Sequence, residues 1–103
     1  MNEQELKAKL ETLGYKWHSS QDDHISYYKE IRGTKYKPLN TSIRLCITVN
    51  TKARLIMHFM SYTPSLNSDE NIQLINKAWE KAKVMLQKIK DEIKDTGWRM
   101  KKW

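Results

Sequence analysis

Between Thr41 and Tyr62 the chain reads TSIRLCITVNTKARLIMHFMSY, and apolar residues alternate with others along two consecutive stretches. Ile43, Leu45, Ile47 and Val49 interleave with Ser42, Arg44, Cys46 and Thr48; Leu55, Met57 and Phe59 interleave with Arg54, Ile56, His58 and Met60. A period of two marks strands that turn one face to a core. Opposed residues of a hairpin share a face, so matching odd positions to odd positions predicts an odd loop, most simply the Asn-Thr-Lys at 50–52. Leu45 then faces Met57, and Arg44 faces His58. This register puts Arg44, Cys46, Thr48, Arg54, Ile56, His58 and Met60 on a second, open face, with Tyr28 and Tyr62 beside them.

Upstream, HISYYKEI alternates Ile25, Tyr27 and Ile31 against His24, Ser26, Tyr28 and Glu30. With YKWHSS before it and QDD as the turn, it reads as a hairpin. The period changes at both ends of the chain. Leu6, Leu10 and Leu13 share one face of a short helix, with Asn2 and Glu5 spaced as a capping box and Gly14 as its stop. From Asp69 to about Thr96 a long helix is predicted, capped by Asn67 or Ser68. Its seam is Ile72, Ile75, Trp79, Ala82, Leu86, Ile89 and Ile93, spaced alternately three and four apart. A helix of this length outruns the strands beneath it. Its C-terminal half needs a second copy of the chain, a partner, or the WRMKKW segment folded back past Gly97.

These elements predict an α+β fold: a small antiparallel sheet of three to four strands, with a short N-terminal helix and a long C-terminal helix on one face. At 103 residues the chain is too short for two cores, so residues 1–97 form one domain and residues 98–103 a basic, aromatic tail. No apolar run reaches membrane-spanning length, and NEQELKAKLE lacks the look of a secretory signal. The single cysteine, Cys46, fits a reducing compartment, and the expectation is a cytoplasmic protein.

Net charge is +7, unevenly spread. Residues 29–54 hold seven Lys or Arg against one carboxylate, and residues 77–103 nine against four. Clustered charge of this kind attracts polyanions or acidic protein surfaces. The loop RGTKYKPLN lies within the first block and the tail within the second.

Catalytic chemistry finds little support. Glycines only at 14, 33 and 97 exclude a P-loop or dinucleotide fingerprint. His18, His24, His58 and Cys46 lack metal-ligand spacing, so no metal or other cofactor is expected. Cys46 and His58 lie diagonally across the predicted hairpin, where a thiolate–imidazole pair is conceivable, although a small buried cysteine is the commoner use. A nuclease centre would have to draw on Asp22, Asp23 and Glu30, with Arg32 in place of the usual lysine. The aspartates read better as turn residues.

Cations interleaved with aromatics are the stronger signal, because cations neutralise phosphates while rings stack on unpaired bases. The expected contact set is Tyr28, Arg32, Lys35, Tyr36, Lys37, Arg44, Arg54, Ile56, His58, Met60, Arg99, Lys101, Lys102 and Trp103. The order of helix, three strands and helix is shared by double-stranded-RNA-binding domains. Those carry a lysine cluster where this chain has SDENIQ, and the family is not assigned. In composition, rich in Lys, Asn and Ile, the chain resembles accessory proteins of AT-rich bacteria and their phages, including inhibitors of host defence complexes. Three expectations follow: a non-enzymatic module engaging nucleic acid or a nucleic-acid-handling complex; a protein inhibitor or regulator using the open sheet face and long helix; and a structural homodimer joined through Trp79, Leu86, Ile89 and Ile93.

Overall fold

The computed structural model describes residues 1–32, 43–62 and 69–101. Helix α1 (Glu3–Thr12) is followed by strands β1 (Lys16–Gln21), β2 (His24–Arg32), β3 (Ile43–Asn50) and β4 (Leu55–Tyr62), helix α2 (Asp69–Ile93) and strand β5 (Arg99–Met100). The five strands lie in sequence order in one sheet, antiparallel except for the β4–β5 pair, which is parallel. The fold is α+β as expected, with one strand more than the alternation revealed. Among the described residues no helix is long and apolar enough to cross a membrane.

The local chemistry explains where elements start and stop. Glu5 N–H donates to Asn2 Oδ1 at 2.8 Å, and the Glu5 carboxylate accepts from Asn2 N–H at 3.5 Å, which completes the capping box. Gly14 takes φ +94°, a conformation other residues adopt at a cost, and so breaks α1 toward β1. Lys29 Nζ then donates to the Leu13 carbonyl at 2.9 Å, placing a cation at the negative end of α1. Asp22 turns the β1–β2 hairpin at φ 52°. Asp22→Gly is expected to raise stability by about 0.5 kcal/mol, read from urea midpoints, because it relieves that backbone strain at some entropic cost. A loss instead would show that the carboxylate is used.

Three features depart from the sequence pattern. First, β3 and β4 are joined by four residues, Thr51 to Arg54, and pair Asn50 with Leu55, Ile47 with His58 and Leu45 with Met60. Arg54 sits at φ 54° and ends the turn, while Asn50 Oδ1 accepts from Ala53 N–H at 3.0 Å. An even loop reverses the parity. The core face is therefore Ile43, Leu45, Ile47 and Val49 with Ile56, His58 and Met60, and the predicted pairs Leu45–Met57 and Arg44–His58 do not form.

Second, α2 is rotated from the expected seam. It buries Ile75, Ala78, Ala82, Met85, Ile89 and Ile93, while Ile72 and Trp79 are exposed and Leu86 is half-buried. The small residues Ala78 and Ala82 let the helix approach the sheet closely, a contact that Trp79 is too large to make. Ile89 is fully inaccessible and Ile93 is 5% exposed, so two of the four residues of the expected homodimer seam are used within the chain, while Trp79 and Leu86 stay accessible.

Third, the segment after α2 belongs to the fold. Gly97, at φ +89°, reverses the chain, Trp98 is buried, and Arg99 and Lys101 donate their N–H groups to the Arg54 and Ile56 carbonyls at 3.0 and 2.8 Å. Trp98 joins Leu6, Leu10, Ile89 and Ile93 in the main core, and its Nε1–H donates to the Met1 carbonyl at 2.8 Å. Of the covers weighed for the C-terminal half of α2, the folded-back segment is the one observed. The expected boundary at 97/98 is thus crossed by core packing.

Candidate binding face of the sheet

Both helices pack on the Leu45–Ile47–Ile56 side of the sheet. Among the described residues no helix or strand covers the other side, and its composition follows from the registers. Tyr28 pairs with Cys46, and Cys46 with Phe59, so these three side chains stand in one row across β2, β3 and β4. Ser26, Thr48 and Met57 form the neighbouring row, and Glu30, Arg44 and Ser61 the row on the other flank. The Arg44 guanidinium stacks on the Tyr28 ring, 4.9 Å from its centroid. A register shift after Trp17 brings His18 edge-on to the same ring at 6.0 Å.

Tyr28, Cys46, Met57 and Phe59 are half-buried, as neighbours on a flat sheet shield one another. Burial pushes the Cys46 thiol above its ordinary pKa, with Arg44 pulling the other way. The thiol is thus protonated at neutral pH, unlike an activated nucleophile. His58 projects from the opposite face, so the conceivable Cys46–His58 pair is not assembled.

His58 has a different role. It is 4% exposed, and its Nε2 lies 2.7 Å from the Tyr15 hydroxyl, with the rings edge to face. Burial pushes His58 down to about 4 and raises the Tyr15 phenol. A neutral imidazole sharing this bond with a neutral phenol gives Nε2 and the hydroxyl a partner each.

The other expected contact residues separate into groups. Tyr28 and Arg44 are brought together on the open face. Ile56 is fully buried, His58 is in the core and Met60 packs against it, because the four-residue turn changes which positions of β4 face inward. Arg54 lies over the Trp98 ring, 5.5 Å from its centroid, beside the sheet edge. Arg32 ends β2 opposite Ile43. Arg99 and Lys101 lie at the β5 edge, away from Tyr28. Lys35, Tyr36, Lys37, Lys102 and Trp103 fall outside the described residues, as do Asn67 and Ser68.

Phe59 and Met57 were missed as open-face residues. The run Leu55-Ile56-Met57-His58-Phe59-Met60 is apolar at nearly every position, and the lone histidine marked the wrong face as the polar one. Tyr15, which the sequence reading left without a role, is the residue that lets a histidine sit inside.

No acidic centre forms from the nuclease candidates. Asp22 and Asp23 occupy the hairpin loop, and Glu30 lies seven residues along β2 from Asp23, roughly 23 Å in an extended strand. Among the described residues no group of three His, Cys, Asp or Glu is placed to hold a metal ion. Set against protein-family models, curated proteins and solved structures, the chain matches none.

Proposed function

We propose that this protein is a non-enzymatic binding module that takes single-stranded nucleic acid onto its open sheet face. The observation that carries the reading is the Tyr28–Cys46–Phe59 row with Arg44 stacked on Tyr28. Two aromatic rings flank a small residue on the side of the antiparallel β2–β3–β4 strands that no described helix or strand covers. Single-strand binders use such surfaces to stack successive bases, with cations meeting the phosphates. Arg44 and Lys16 supply the cations, since Lys16 pairs with Tyr28 and shares its face. The net charge of +7 favours approach of a polyanion from any direction.

A protein-binding inhibitor or regulator is the second reading, favoured by Leu55, Met57 and Phe59 along one strand of the same face. Methionine and aromatic side chains suit a protein hot spot as well as a base.

Anisotropy titrations with a fluorescent oligouridylate and oligothymidylate, at low and near-physiological salt, separate the two. Tyr28→Ala and Phe59→Ala are each expected to weaken binding by about 1–3 kcal/mol, the usual worth of one stacked base. Arg44→Ala should lower the log–log salt slope by about 0.7. Absence of binding at low salt, or affinity unchanged in the Tyr28→Ala/Phe59→Ala double variant, would overturn the nucleic-acid reading.

A further inference from the structure

At the edge where β5 closes the sheet, α2 and β5 enclose an open groove of about 520 Å3. Leu86, Ile93 and Met100 line it together with Lys90, Lys94 and Asp95, while the Ile56–Met100 register turns the Arg99 and Lys101 side chains, at its edge, to the other face of β5. The groove is distinct from the Tyr28 face, and a second property sets it apart. Arg99 and Lys101 point their N–H groups at β4, so strand alternation turns the N–H and C=O of Met100, between them, toward the outside of the sheet. An edge donor and acceptor thus stand beside an apolar trough with a basic rim.

We propose that this groove receives an extended acidic segment of a partner protein, which adds to β5 as a further strand. Strand addition uses the outward Met100 backbone for pairing and alternate side-chain pockets for selectivity. One set of side chains from the segment, apolar, rests on Leu86, Ile93 and Met100 beside Lys90 and Lys94; the alternate set, Asp or Glu, meets Arg99 and Lys101 on the other face of β5.

Charge selects this occupant over the alternatives. A second copy of the chain paired edge to edge would bring two basic rims together, which like-charge repulsion disfavours. A nucleic acid strand would meet the cations but leave the apolar floor uncovered. The aromatic ring lining the groove, Trp98, is 5% exposed and already stacked by Arg54, so it offers no free face to a base.

The test is a titration of the full chain with a fluorescein-labelled heptapeptide alternating Glu with Val and Leu, read by anisotropy and by amide chemical shifts. Saturable binding that shifts the Met100 amide is expected, weakened roughly tenfold in the Arg99→Glu/Lys101→Glu variant, whose side chains are exposed. The same peptide N-methylated at alternate amides, which cannot pair as a strand, should lose most of its affinity while the protein is untouched. Equal binding of the N-methylated peptide, equal binding of a version with Lys for Glu, or no saturation up to about 1 mM would overturn the proposal. So would oligothymidylate producing the Met100 shift in place of the peptide.

Discussion

Trp98→Ala is expected to destabilise the protein by about 3–5 kcal/mol, the range for deleting a large aromatic from a packed interior. The ring is 5% exposed among Leu6, Leu10, Ile89 and Ile93, and its loss also removes the bond to the Met1 carbonyl and the platform beneath Arg54. For a domain of this size, with a total stability of about 5–15 kcal/mol, the melting temperature should fall by roughly 12–40 °C. Trp98→Phe keeps most of the apolar area but leaves the Met1 carbonyl without its partner, and should cost nearer 1–3 kcal/mol. Thermal and urea unfolding of both variants measure the two contributions. A melting temperature within a few degrees of the parent for Trp98→Ala would show that the ring is not part of the packed core.

The second large effect is an acid-side loss of stability set by His58. Its folded pKa, about 4, lies below the ordinary histidine value of 6.5 because burial disfavours the imidazolium. Between these values the unfolded chain binds a proton at His58 that the folded chain does not. Stability from this group is therefore complete above pH 6.5 and is lost as pH falls toward 4, by on the order of 3 kcal/mol. Urea midpoints measured from pH 7 to pH 4 should fall in the parent and fall much less in His58→Gln, which can still accept from the Tyr15 hydroxyl. An unchanged pH slope in His58→Gln would assign the acid sensitivity elsewhere. Tyr15→Phe, which leaves the buried Nε2 without a partner, should cost about 1–3 kcal/mol at neutral pH.

The same two residues show how far the sequence could be read. The capping box at Asn2 and Glu5, the alternation of β3 and the long helix were legible because each depends on neighbours a few positions away. The inward face of β4 was not, since its apolar run fits either parity and only a distant tyrosine decides for His58. Likewise the seam of α2 was placed at Trp79 and Leu86, whereas Ala78 and Met85 are the residues turned to the core. The Tyr28–Arg44 contact was within reach of the pattern; Phe59, which completes the row, depended on the length of one turn. The folded-back WRMKKW segment was one of three covers the long helix called for, and Trp98 takes that place, but the parallel pairing of β5 with β4 has no local signal.

The bond from Trp98 to Met1 links positions 97 apart, and α2 carries the chain back from the end of β4 to its start, where β5 pairs with Leu55 and Ile56. A chain still emerging from a ribosome can form α1 and its hairpins, yet the apolar side of α2 has no complete shelter until residues 98–101 are free to dock. Until then the parts of Leu6, Leu10, Ile89 and Ile93 that Trp98 covers stay open to water, and the half-made protein presents to its surroundings a surface that the folded one conceals.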